Sequence, residues 1–261
     1  MAGRTFFGTV RLAILVAILA FVALGAWLDG RRSTDWDGTL RVTVYPVAVT
    51  KDEATSDYVA ALGAAAFDDV VGFLGGEAGR HGVDLEEPFS LRVSHAVHGL
   101  PPAAPRDPGP LGIAVWSLKL RYWAWRVAAR DALPPPDVQV FALYRAADGR
   151  HGAPDSTGLR KGLVAVTHLY AAEGAAGSND VVLAHELLHT LGATDKYDRA
   201  TGQPLAPGGL GDPSQDPLYP QETGEIMAGR IAVGPHDAAI PESLEAMTVG
   251  PATAREIGWL R

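Results

Sequence analysis

The chain has 261 residues, 47% of them hydrophobic and 20% charged, a composition that supports a packed globular core with room for a terminal extension. Its formal net charge of −8 argues against nucleic acid as a partner, because such proteins present a basic surface. It contains no cysteine, which excludes disulfides, thiolate metal ligands and a cysteine nucleophile.

From the N-terminus, Arg4 and Arg11 precede an uncharged run of 17 residues, 12–28, LAILVAILAFVALGAWL. As a helix it is about 25 Å long, between a signal-peptide core and a spanning segment. Ala23 and Gly25 are small residues that suit signal-peptidase cleavage. Trp27, Asp29, Arg31 and Arg32 form an interfacial border that suits an uncleaved anchor. Residues 1–32 are therefore read as a signal anchor or signal peptide. Either form places the remainder outside the cytoplasm, membrane-tethered or secreted.

After a short polar linker at 33–38, residues 40–47 (LRVTVYPV) alternate as a strand with Pro46 near its end. The spacing of Tyr58, Ala61, Ala65, Val70 and Phe73 predicts one helix over 56–74, ended by Gly75 and Gly76. Residues 89–95 read as a second strand. A proline-rich loop at 100–110 leads to a helix predicted over 113–133, and strands follow at 138–144 and 162–170. Strands alternating with helices predict an α/β (α+β) domain, a mixed twisted sheet with the next helix packed on it. In the 113–133 segment, Trp116, Tyr122, Trp123 and Trp125 mix with Lys119, Arg121, Arg126 and Arg130. An aromatic face packed on the sheet with solvated basic side chains is the first reading, and contact with a membrane surface the second. His95, His98 and His168 lack a ligand pattern and are read as structural or surface residues.

The most specific stretch is 178–198, SNDVVLAHELLHTLGATDKYD. His185 and His189 are four residues apart in an apolar helical run, so both imidazoles lie on one side. Leu183, Ala184, Leu187, Leu188 and Leu191 cover the other side, and Ser178, Asn179 and Asp180 are N-cap candidates. Two imidazoles at this spacing can hold one Zn²⁺, with Glu186 placed to take a proton from water at the metal. Gly192 can end the helix and turn the chain so that Asp195 returns as a third ligand, with Asp198 close enough to compete. The H-E-x-x-H pattern alone would arise by chance in roughly one or two such chains per hundred. Adding Gly192 and Asp195 lowers this to about one in ten thousand, which favours a metal site over a satisfied polar core.

With His185, Glu186, His189, Gly192 and Asp195 in place, the segment resembles the extended zinc signature of the metzincin metallopeptidases. Aspartate at the last position resembles the snapalysin-like variant. The resemblance covers about a tenth of the chain. It implies an upper subdomain at 33–192 that includes the zinc helix, and a smaller lower subdomain at 193–261 that ends in a helix, predicted at 250–259. It also implies a methionine turn beneath the metal ligands. Met227, in GEIMAGRI, is the candidate, with Met247 as the fallback. The strand before the zinc helix, 163–170, is implied to be a sheet edge that receives an extended substrate. Tyr197, Tyr219 and Arg230 are candidates for assisting the transition state. Between these features, 199–224 reads as a long Gly/Pro loop across the mouth of the cleft.

The function implied is hydrolysis of peptide bonds in a peptide or protein substrate, with zinc as the cofactor. The alternatives are a non-catalytic zinc-binding anchored module, a deuterolysin-like peptidase, or an amidase acting on cell-wall peptides. A gluzincin arrangement would instead recruit Glu222 or Glu225 as the third ligand.

Overall fold

A computed structural model describes residues 34–50, 52–105, 109–131, 134–147, 157–158 and 163–260. The apolar run at 12–28 lies outside the described residues. Among those described, no single helix is long and apolar enough to cross a membrane. A helix pair within 53–80 meets that test by length and composition only, and it is bent by 90°.

Five strands form the main sheet: β1 (Leu40–Ala48), β2 (Phe89–Val93), β3 (Val138–Arg145), β4 (Thr157–Gly158) and β5 (Val164–Tyr170). Their order is β2-β1-β3-β5-β4, parallel except for β4. The fold is thus mixed α/β, as the alternation of elements predicts. Pro46 is tolerated inside β1 because β2 has ended there. The last β1–β2 pair is Val44 with Val93, and the Pro46 carbonyl accepts instead from Val97 N at 2.8 Å. Residues 163–170 are not the sheet edge expected of them: β5 pairs with β3 on one side and with the two-residue β4 on the other.

Side chains alternate across the strands and divide the core in two. Val42 and Val44 of β1, Val140 and Ala142 of β3, and Ala165 and Leu169 of β5 face one layer. That layer holds α1 (Glu53–Ala61), α2 (Asp68–Arg80) and α4 (Ala176–Leu191). Tyr45, Phe141, Leu143 and Val166 face the other layer, which is α3 (Pro110–Ala128) with Leu120 and Ala124 fully buried.

The single helix expected over 56–74 is two helices. α1 stops at Ala61, a 3₁₀ turn covers Ala64–Phe67, and α2 continues past Gly75 and Gly76 to Arg80. Ala61 and Ala65 are exposed. Burial of Val70, Leu74 and Ala78 at four-residue spacing holds α2 together through its glycines. α3 starts three residues earlier than predicted, with Pro110 in its first turn, and ends at Ala128. The terminal helix α5 is short, Pro251–Glu256.

The described part of the 33–38 stretch is no loose linker. Trp36 packs on Phe89 and Trp259, with centroids 5.3 and 5.7 Å away, and donates its indole N–H to Ile257 O at 2.8 Å. Residues 193–250 carry only two-residue strands and single 3₁₀ turns, so this region is held by side-chain hydrogen bonds more than by ladders.

Candidate metal centre

Helix α4 is docked before it presents anything. Asn179, expected as a cap, instead bonds the end of β5: its Oδ1 accepts from Tyr170 N at 3.0 Å and its Nδ2 donates to Tyr170 O at 2.8 Å. The helix starts earlier, at Ala176, with no side-chain cap. Gly177 is required there because an added Cβ would collide with the Glu242 carbonyl. Val181, Leu183, Ala184, Leu187, Leu188 and Leu191 are buried, so the opposite side of the helix carries His185 and His189.

The two rings lie 4.6 Å apart at 87° to each other. Each Nδ1 faces a backbone carbonyl, His185 to Ile226 O at 2.9 Å and His189 to Ala193 O at 2.8 Å. A carbonyl only accepts, so each Nδ1 carries the proton and each neutral ring leaves Nε2 with a bare lone pair. Gly192, at φ 110°, ends α4, and the chain turns back to bring in Asp195. Asp195 Oδ1 sits 2.9 Å from His189 Nε2 and 3.5 Å from His185 Nε2, and is buried without a hydrogen bond.

Three lone-pair atoms converging in a buried place repel one another unless a positive charge joins them. The surroundings also favour positive charge at His185 beside the Asp195 carboxylate. Burial pulls the His185 pKa down, but Asp195, Glu186 and the Ile226 carbonyl together raise it above the ordinary value. His185, His189 and Arg199 hold the Asp195 carboxyl far below the usual range against the opposing effect of burial. These residues form a cluster able to chelate a metal ion, with ligand atoms all within 4.8 Å of one another. A nitrogen–nitrogen–oxygen donor set at these separations fits a tetrahedral ion with a fourth position open. Glu186 is buried beside His185, 4% exposed.

Two carboxylates that the sequence did not single out as supports hold the returning chain. Glu225 is fully buried. Its Oε2 accepts from Met227 N (2.7 Å) and Ala228 N (3.1 Å), and its Oε1 from Gly250 N (3.2 Å) and Thr253 Oγ1 (2.5 Å). Those bonds fix the 3₁₀ turn Ile226–Ala228, whose Ile226 carbonyl orients His185 and whose Met227 carbonyl accepts from Lys196 N at 2.9 Å. Glu256 of α5 accepts from Thr194 N (2.8 Å), Thr194 Oγ1 (2.7 Å) and Lys196 Nζ (2.7 Å). Asp195 is therefore clamped on both sides. Glu225 lies at an irregular position with no sequence pattern, and Glu256 ends a short helix whose partners Thr194 and Lys196 are 62 and 60 residues away, so neither support was legible.

The competing ligands are otherwise engaged. Asp198 is exposed, and its Oδ1 caps its own turn on Ala200 N and Thr201 N. Glu222 is exposed, and Glu225 is committed to the turn. Met227 is fully buried in the turn whose Ile226 carbonyl faces His185, whereas Met247 lies in a two-residue strand pairing with Gly224. Of the transition-state candidates, Tyr197 bridges to Pro204, Arg230 lies along Gly202, and Tyr219 sits in the 199–224 loop. That loop is irregular as predicted, and Gln221 fastens it by bonds to both backbone groups of Asp212. His168 faces Arg145 Nη2 at 3.0 Å on β5, and His95 and His98 lie on the α3 side of the sheet.

No protein-family model and no curated protein sequence matches this chain. A solved structure described as "Structure of a chaperone-substrate complex" aligns with 84% of this chain and 33% of its own, at 13% identity and a TM-score of 0.39. This chain spans about a third of the length of that one, and a likeness at that level carries no argument.

Proposed function

We propose that this protein is a zinc-dependent peptidase of metzincin type, exported or tethered to a membrane by its N-terminal run. The observation that supports this reading is the convergence of His185 Nε2, His189 Nε2 and Asp195 Oδ1, with Glu186 next to the first ligand on the same buried helix. A purely structural zinc site needs no adjacent carboxylate base.

His185, His189 and Asp195 would hold the ion. Bound there, zinc would polarise a peptide carbonyl and acidify water, the latter less than with three imidazoles because Asp195 adds negative charge. Glu186 accepts a proton from the attacking water and returns it to the nitrogen of the leaving amine. The Ile226 and Ala193 carbonyls keep both rings in the tautomer that points Nε2 inward. Met227 would supply the floor of the site, a polarizable side chain that packs without competing for the metal. Residues 33–192 and 193–261 would act as the upper and lower halves of a cleft. An extended substrate would meet the sheet at β4, the outermost strand on the β5 side.

The test is metal content and peptide hydrolysis of the full chain beside two variants. The wild type is expected to bind one zinc and to cleave a peptide library. Glu186→Gln should keep its zinc and lose hydrolysis by about 10²- to 10⁴-fold or more, while Asp195→Ala should lose the metal. Hydrolysis retained in Glu186→Gln overturns the mechanism. Zinc bound without cleavage of any peptide by the wild type selects the binding-module alternative.

A further inference from the structure

The α3 face of the sheet carries a second surface, far from the requirements of the metal centre. Leu120 and Ala124 of α3 are fully buried, and Trp116, Trp123 and Val127 pack beside them. On the opposite side, Val115, Leu118, Tyr122 and Trp125 recur at three- and four-residue spacing and form one outward stripe. They are 43%, 53%, 60% and 61% exposed, and Tyr122 stacks on Trp125. Lys119, Arg126 and Arg130 are exposed along one flank of the stripe, with the Arg126 guanidinium 5.9 Å from the centre of the Tyr122 ring. Residues 110–128 contain no acidic side chain, in a chain whose net charge is −8.

The same flank borders a cleft of about 480 Å³ between α3 and residues 94–98, lined among others by His95, His98, Tyr122, Arg126 and Arg130. Its one carboxylate, Asp131, accepts from Ser94 Oγ at 2.6 Å.

We infer that α3 lies on an anionic lipid surface, with the Val115–Leu118–Tyr122–Trp125 stripe in the interface and lipid phosphates held by Lys119, Arg126 and Arg130. Apolar and aromatic side chains bordered by cations match the headgroup boundary of an anionic bilayer in both hydropathy and charge. A local excess of cations on an otherwise acidic chain is what an anionic surface attracts and an acidic protein surface elsewhere does not explain. The run at 12–28, whether anchor or signal, brings the chain to a membrane in the first place.

The absence of native cysteine makes a direct test available. Leu118→Cys in the full chain, labelled with an environment-sensitive fluorophore, is placed in vesicles of phosphatidylcholine alone or with added phosphatidylglycerol, each carrying a nitroxide-lipid quencher. Val115→Cys is the second reporter, and Asp57→Cys on α1 of the opposite layer is the aqueous control. The expected result is a blue shift and quenching at 118 and 115 in the anionic vesicles only, reversed by high salt. Each of Lys119→Gln, Arg126→Gln and Arg130→Gln should lower the docked-to-undocked ratio about fivefold. Labels at 118 and 115 that stay aqueous overturn the proposal. So does quenching that is equal in neutral vesicles and indifferent to the charge variants. Self-quenching between copies in detergent would also overturn it and make the stripe a contact between chains.

Discussion

The candidate metal centre is assembled from two regions of opposite construction. Residues 176–191 are a helix, and the spacing of His185 and His189 follows from its 3.6-residue turn wherever it packs. Residues 193–228 have almost no regular structure, and Asp195 and Met227 reach their places only through hydrogen bonds from Glu225, Glu256 and Lys196. The first region makes geometry locally; the second also draws on distant residues, Lys196 bonding Met227 and Glu256 that lie 31 and 60 positions away. The helix should therefore survive changes that scatter the returning chain.

The largest effect is expected where the irregular region has its one buried carboxylate. Glu225→Ala leaves three backbone N–H groups and a hydroxyl without their acceptor. It should cost about 3–5 kcal/mol in denaturant unfolding. Any helical signal that persists in that variant should come with weakened metal binding, because the Ile226 carbonyl no longer fixes His185. Next is Glu256→Gln, which weakens the clamp on Thr194 and Lys196. Metal affinity should fall about 10- to 100-fold by competition against a chelator, with about 1 kcal/mol lost from the apoprotein. An unchanged affinity would mean that the turn at Gly192 places Asp195 unaided.

A smaller effect sharpens the helical side of the comparison. Burial and the nearby Asp69 push the Asp180 carboxyl up to about 7. An unfolded aspartate has a pKa near 3.8, so between these values the folded chain binds the extra proton. This contribution to stability is full below about pH 4 and is lost as the pH rises through about 7. Asp180→Asn should raise stability at pH 8 by about 1–2 kcal/mol and leave it unchanged near pH 4, as read from thermal midpoints at the two values. The smallest effect belongs to Asp198→Ala. Its carboxylate caps an exposed turn, so zinc affinity should not move, and stability should change by less than about 1 kcal/mol. A large loss of zinc there would transfer the third ligand to Asp198.

How much of this could be read in advance follows the same division. The four longer strands of the sheet, of which β1 shows the clearest β-branched alternation, were legible to within a residue or two. The break between α1 and α2 was not, because Ala61 and Ala65 fit a helical face as well as the buried Val59 does. β4 escaped because two residues carry no periodicity, and its presence moves the sheet edge away from 163–170. In α3 the aromatic residues were read as one face, but the structure divides them. Trp116 and Trp123 pack inward while Tyr122 and Trp125 point out.

The sequence by itself determined the candidate site's inner half. An i, i+4 histidine pair with a glutamate between, on a helix whose other side is leucine, needs only helical geometry to converge. Gly192 marked the turn because positive φ is cheap for glycine alone. That Asp195 and not Asp198 joins the two histidines, that Met227 is buried in the turn behind His185, and the roles of Glu225 and Glu256 were decided only by the tertiary structure. A carboxylate becomes a cap or a buried strut according to which donors surround it in space, and for Glu225 and Glu256 decisive donors come from distant parts of the chain.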